Sequence, residues 1–275
     1  MKIYTQILII CLCLIISCGM PIRNYVIKTS QAITLFNHID FTNFYPWLAE
    51  TGYNDYDSVF KIIRDNNGEN LIRISGQHLG GLITKSAFRN YKLVAEFKWG
   101  KQTWGTRIRK ARDAGILLHC QGEDGNNLEN FKSPWLRSIE YQIIEGGTGD
   151  LLLVSGYERG SRLLIKPKAT ISVMPGKRVW NKEGVSTVFE ENRVDCFYRD
   201  PLWKDELGFR GENDVEEPLG KWNRIEIIVK NKTLIYYLNG IKVNEASYTS
   251  FTSGKILFQS EYAEIFFRRI DLFPL

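Results

Sequence analysis

Polar and apolar side chains alternate in this chain in one segment after another. In residues 91–99, Tyr91, Leu93, Ala95, Phe97 and Trp99 fall on one side, and Lys92, Glu96 and Lys98 on the other. Successive side chains of an extended chain point to opposite faces, so this period belongs to a half-buried β-strand. Residues 222–230 repeat it, with Asn223, Ile225, Ile227 and Val229 on one side. Residues 234–238, Asn239-Gly240 and residues 241–243 predict a hairpin, because Asn-Gly supplies the two positive φ angles of a type I′ turn. Further strands are expected near 59–63, 70–75, 81–85, 114–120, 138–145, 149–155, 193–198, 254–259 and 263–273. No segment sustains a 3.6-residue apolar period between caps. The expected fold class is therefore all-β, a sandwich or barrel. Residues 156–218 carry more charge, several Pro and Gly, and weaker alternation. They read as an elaboration at one rim of the sandwich with a few short strands.

The amino terminus bears on the compartment. Lys2 is followed by an apolar run over residues 7–16, counting Cys11 and Cys13. As a helix such a run rises only about 15 Å, half of a bilayer core of about 30 Å, and so fits the apolar region of a signal peptide. It ends in Ile15-Ile16-Ser17-Cys18, which resembles the bacterial lipobox, where the Cys is acylated and becomes the mature N-terminus. The expectation is a lipoprotein signal over 1–17, lipidation at Cys18, a tether over 18–32 and a single β domain over 33–275, anchored by lipid to a bacterial membrane. No acidic run follows Cys18, which favours the periplasmic face of the cell envelope. The other reading is an ordinary signal peptide with an incidental Cys.

Removal of Lys2 with the signal lowers the formal charge from +5 to +4. So mild an excess does not predict nucleic-acid binding. The densest basic stretch, Arg107, Arg109, Lys110 and Arg112, reads as a solvated loop. Cys120 and Cys196 show no motif spacing and are expected as free thiols.

The segment Ser138-Ile139-Glu140-Tyr141-Gln142-Ile143-Ile144-Glu145-Gly146-Gly147-Thr148-Gly149-Asp150 holds the densest candidate chemistry. Strict alternation puts Glu140, Gln142 and Ile144 on one face and Tyr141, Ile143 and Glu145 on the other. A one-residue bulge near Ile143-Ile144 would return Glu145 to the face of Glu140 and Gln142. The resulting E-x-Q-x-x-E resembles the E-x-D-x-x-E strand of bacterial laminarinases and lichenases, concanavalin A-like jelly rolls whose outer carboxylates flank a glycosidic bond. Gln142 departs from that pattern. An amide cannot share a proton with a carboxylate as Asp does, which argues against ordinary retaining hydrolysis but not against sugar binding. In Asp113-Ala114-Gly115-Ile116-Leu117-Leu118-His119, alternation groups Gly115, Leu117 and His119 on one face. His119 reads either as a functional group or as a satisfied structural histidine. His78 lies in a turn before a strand. His78, His119 and Glu145 would suit a divalent metal if the fold gathers them.

Several segments, in order, are similar to the bacterial 3-keto-disaccharide hydrolase family, also described as 3-keto-glucoside 1,2-lyase and 3-keto-2-hydroxy-glucal hydratase domains. They are Leu35-Phe36-Asn37-His38-Ile39-Asp40, residues 76–84, residues 111–120, residues 135–150, Gly220-Lys221-Trp222-Asn223, Leu238-Asn239-Gly240, and residues 254–261 through Phe267-Arg268. The resemblance covers about residues 33–275. It implies a concanavalin A-like jelly-roll sandwich of two antiparallel sheets. It also implies a carbohydrate substrate already oxidised to a ketone at sugar carbon 3. Such a ketone acidifies the hydrogen on carbon 2, so a base can start an elimination that expels the carbon-1 substituent. Under this reading Glu145 and His119 are the base candidates and Glu140 the acid. Gln142, His78 or a metal faces the enolate. Asp113, Asp150, Gln259 and Glu261 complete the substrate-binding set. Two alternatives stand beside it: a carbohydrate-binding lipoprotein without chemistry, and a hydrolase of unoxidised β-glucans.

Overall fold

The computed structural model describes residues 31–275. The signal segment, Cys18 and residues 18–30 of the tether lie outside the described residues. The expected jelly-roll sandwich of two antiparallel sheets is what the chain forms. One sheet runs in the order Ile241–Ala246, Thr233–Leu238, Asn223–Lys230, Tyr91–Thr103, Ala263–Pro274, Asn70–Ile74, Phe60–Arg64, with Ile33–Thr34 also paired to Ala263–Pro274. The other runs Asn192–Val194, Leu151–Val154, Arg137–Ile144, Asp113–Gln121, Lys255–Ser260, Gly80–Thr84, Phe44–Leu48. The only helical element among the described residues is a 3₁₀ turn, Gly105–Arg107.

The alternation fixes how the sheets face. Tyr91, Leu93, Ala95, Phe97 and Trp99 are buried between them, against Ile139, Tyr141 and Ile143 of the second sheet. Full burial of one such side chain stabilises by about 1.5–3 kcal/mol, so a one-residue slip that exposed the set would be prohibitive. Lys92, Glu96 and Lys98 point outward, where Glu96 meets Arg224 and Arg268, and Lys92 meets Glu226. Asn239 and Gly240 adopt φ of 50° and 82° in the hairpin between Thr233–Leu238 and Ile241–Ala246, as the turn chemistry requires. Phe44–Leu48 was not among the expected strands. It contains Pro46, which has no N–H to donate, and it lies at the sheet edge, pairing only with Gly80–Thr84.

Within 156–218 two small hairpins form, Gly156–Glu158 with Leu163–Ile165 and Ala169–Val173 with Val185–Phe189. Asn192–Val194 then joins the second sheet as its edge. Cys120 and Cys196 are buried and free.

Candidate active site

The outer face of the second sheet carries the polar residues. Directly opposed residues of antiparallel strands share a face, so the register gives the rows. Arg193, Leu152, Glu140, Leu117, Leu257, Ile83 and Tyr45 are paired in succession across the sheet. The next row holds Gln142 opposite Gly115, and Gln259 opposite Gly81, which faces Trp47. Phe258 pairs with Ile116, which sets Gln259 beside Gly115. Asp113 follows two residues from Gly115, and Glu261 two residues from Gln259. Glu140, Gln142, Asp113 and Gln259 are all buried, although they lie outside the main core, while Glu261 is partly exposed. Gly115 is required here because a Cβ would come closer than 3.0 Å to both Glu140 Oε1 and Gln259 Oε1. The carboxyl and the amide converge over the space its missing side chain leaves.

The cluster is stitched to two arginines. Gln142 Nε2 donates to Asp113 Oδ1, and Arg107 Nη2 donates to Asp113 Oδ2. Arg107 Nη1 also bonds Asp205 Oδ1 at 2.9 Å. Arg193 faces Asp113, Glu140 and Glu261 and favours their charged forms. Burial opposes it. Glu140 is pushed up to about 8 by burial and by the charge on Asp113, against Arg193 and the Gln259 hydrogen bond. Asp113 is pushed up to about 6 by burial, with Arg107 and Arg193 opposing. Glu261 is raised well above the carboxylate range by desolvation and then by Asp113 and Glu140. Both carboxyls are thus pushed up, Glu140 further than Asp113. Environments that push neighbouring carboxyls apart separate an acid from a base. Gln259 Oε1 is buried without a hydrogen-bond partner among the described residues. A buried acceptor left open on this face suits a donor brought by a ligand.

The family model for 3-keto-alpha-glucoside-1,2-lyase-like domains matches residues 31–272. The chain belongs to this family. Membership gives it a carbohydrate-active function. No curated protein matches the chain. Among solved structures it is similar in backbone to a protein from Parabacteroides distasonis ATCC 8503 assigned as a glycosyl hydrolase, at 16% identity over 89% of this chain and 94% of that one, TM-score 0.48. It is also similar to the Bacillus licheniformis β-glucanase, at 10% identity over 90% and 100%, TM-score 0.41. A third is the Bacillus subtilis carbohydrate-binding module CBM66, at 8% identity over 77% and 89%, TM-score 0.40.

Several site expectations for this 3-keto-alpha-glucoside-1,2-lyase-like domain need correction. No bulge occurs at Ile143-Ile144: the ladder runs unshifted from Leu118 opposite Ile139 to Asp113 opposite Ile144. Glu145 therefore keeps to the face of Tyr141 and Ile143, at the sandwich rim. Its carboxylate accepts the Arg112 guanidinium at 2.5 Å, the Arg112 N–H at 2.9 Å and the Gly208 N–H at 2.9 Å. It borders a 250 Å³ cavity with Trp99 and Glu216, away from Glu140. The register shift lies instead between Leu118 and Gln121. There His119 takes φ of 54° and turns inward, so that Cys120 occupies the outer apolar patch with Leu117 and Leu257. The His119 ring sits 5.9 Å from that of Tyr91, and its Nδ1 donates to Phe251 O at 2.9 Å. Desolvation pulls its pKa down to about 4, against the Phe251 hydrogen bond, so it is a neutral core residue. His78 stays near the surface, with Nε2 2.9 Å from Asp57 and Nδ1 3.3 Å from Glu50.

His78, His119 and Glu145 are thus held by separate partners. No group of three or more His, Cys, Asp or Glu among the described residues suits a metal ion. The expected ligand set does not fit a metal. Asp150 is buried and accepts the Cys196 N–H at 2.7 Å and Arg199, tying the glycine-rich turn to the elaboration. The basic stretch is only partly a solvated loop: Arg109 and Lys110 are exposed, but Arg112 is buried on Glu145 and Arg107 reaches Asp113. Arg107 and Arg193 join this face without having been expected there from the sequence. For Arg107 the density of charge was a signal; for Arg193 there was none, since only strand pairing brings it to Glu140.

Proposed function

We propose that the protein cleaves 3-keto-glycosides by elimination across carbons 1 and 2, followed by hydration of the resulting enone. The observation that carries this is the convergence on one outer face of Glu140 and Gln259 over Gly115, beside an Asp113 held by Gln142 and Arg107. The base is Asp113, beside Glu261, whose carboxyl desolvation holds well above the usual range. It removes the proton from carbon 2, and the electron pair moves into the carbon-3 carbonyl as an enolate. Arg193 supplies a cation to that developing charge, while Arg107 stays on Asp113 and Asp205. As the ketone re-forms, the bond from carbon 1 to the leaving oxygen breaks and Glu140 gives that oxygen its proton. The products are an alcohol and a 2-hydroxy enone; one water added across the double bond then returns a 3-keto sugar. Gln142 holds Asp113 in place. Each acid–base group contributes about 10²–10⁴-fold.

Hydrolysis of unoxidised β-glucan has less support. The E-x-Q-x-x-E spacing that resembles those hydrolases does not set its two outer carboxylates on one face, because Glu145 is engaged with Arg112 on the other side of the strand. The test compares purified protein on paired 3-keto and unoxidised glucosides. Aglycone release from the 3-keto member alone supports the proposal; release from the unoxidised member, or from neither, contradicts it. We also propose that Cys18 carries a lipid anchor. Mass spectrometry of the mature N-terminus should find diacylglycerol on Cys18, and an unmodified N-terminus elsewhere would contradict it.

A further inference from the structure

The elaboration lines a half-open cavity that the proposed reaction leaves unused. Its volume is about 910 Å³, at the upper end of the range for small-molecule sites, about 300–1,000 Å³. Three aromatic rings border it. Phe197 is 41% exposed and stands edge-on to Tyr198 at 5.2 Å, so its ring is available. Trp203 is fixed in orientation: its indole N–H bonds Glu145 O at 2.8 Å and the Arg199 guanidinium stacks 4.0 Å from its ring. The charges on the lining balance. Lys177, Arg178 and Arg199 are matched by Asp195, Asp200 and Glu212.

A cavity with balanced charge gains nothing from an anion or a cation in particular. Arg199 is taken up by Asp150, and Asp200 by the Leu202 and Glu212 N–H groups, which leaves Lys177, Arg178 and the Glu212 carboxylate to meet adjacent hydroxyls. The exposed ring suits the apolar C–H face of a pyranose. Position adds a further argument. Arg199 bonds Asp150, and Arg193 comes within 3.6 Å of the same Asp150 oxygen. Arg193 is one of the two cations of the carboxyl face, with Arg107, so that face and the cavity lie on two sides of one carboxylate.

We propose that this cavity binds the neutral, hydroxyl-rich part of an oligosaccharide substrate, sugar residues beyond the bond that breaks. The proposal rests on the carbohydrate-active reading of the protein, and its test needs no turnover. Unoxidised gluco-oligosaccharides with α-1,4, β-1,4 and β-1,3 linkages are titrated calorimetrically against the full chain, with inorganic phosphate as the anionic probe. At least one oligosaccharide should bind. Its affinity should fall about tenfold or more in Phe197→Ala and in Arg178→Ala, both exposed positions, and persist in Glu140→Gln. Thermal melts of each variant confirm that the fold is kept. Absence of binding by every oligosaccharide, equal binding in both cavity variants, or binding of phosphate in their place overturns the proposal. Binding at the cavity without turnover of any 3-keto-glycoside would leave this inference standing and sink the elimination reading; turnover without cavity binding would do the reverse.

Discussion

Gly115→Ala should separate the chemistry from the fold. The added Cβ would come closer than 3.0 Å to Glu140 Oε1 and Gln259 Oε1. Both atoms are the ends of flexible side chains, so the strand can keep its register while the carboxyl and the amide swing away. Overpacking of this kind costs about 1–3 kcal/mol. In a domain of this size each kcal/mol lowers Tm by about 2–4 °C. The chemical loss should be larger, because a misplacement of about 1 Å in an acid costs on the order of 10²-fold in rate. Gly81→Ala is the control. It lies on the same face one strand beyond Gln259, but its Cβ would strike Leu257 Cγ, Cδ1 and Cδ2 in the apolar patch. It should lower Tm by a comparable amount and keep kcat/KM. The assay is kcat/KM on a 3-keto-glucoside beside calorimetric Tm for wild type and both variants. If Gly115→Ala keeps kcat/KM within about twofold of wild type, or if both variants lose activity only in step with stability, the convergence of Glu140 and Gln259 over Gly115 is not the catalytic geometry.

The pH profile of kcat/KM should be bell-shaped, rising through about 6 as Asp113 ionises and falling through about 8 as Glu140 loses its proton; a profile without a maximum between those limits contradicts the assignment. His119→Asn, which tolerates the positive φ, should cost about 1–3 kcal/mol through the lost bond to Phe251 O and leave kcat intact; a large kcat loss in a folded variant would restore His119 to the chemistry. Glu145→Gln should cost about 3–5 kcal/mol by stranding the buried Arg112 charge, read as a drop in urea midpoint, and an unchanged midpoint refutes this. Glu216 is buried on Trp99 and Thr148 and pushed up to about 8, by desolvation first and then by Asp214. A folded pKa above the unfolded value gives stability present at low pH and lost as pH rises towards about 8. Glu216→Gln should therefore lose less unfolding free energy than wild type between about pH 5 and about pH 9, and equal losses contradict the shift.

The sandwich was legible because period-2 alternation is a local property: the inward set from Tyr91 to Trp99 and the outward pair Glu140 and Gln142 follow from spacing alone. Asn239-Gly240 likewise fixed its own hairpin. Bulges are not local. Whether a strand gains a residue depends on its partner, so the bulge expected at Ile143-Ile144 is absent and the one between Leu118 and Gln121 was not foreseen. One register shift is enough to carry His119 from the substrate face to the core. Arg193 and Arg107 reach the carboxyls only through strand pairing and a loop return, and neither leaves a spacing in the chain. Asp113, Gln259 and Glu261 were found by family resemblance and are joined in the structure by register.

Elimination must remove the hydrogen on carbon 2, whereas a carboxylate hydrolase breaks the bond at carbon 1 without touching it. The reaction is run in D₂O on a 3-keto-glucoside, with carbon 2 followed by NMR beside an enzyme-free control for spontaneous exchange. The account predicts deuterium at carbon 2 of the sugar product well above the control, and loss of that enzyme-driven incorporation in Asp113→Asn. Rapid aglycone release with no deuterium above the control would contradict it.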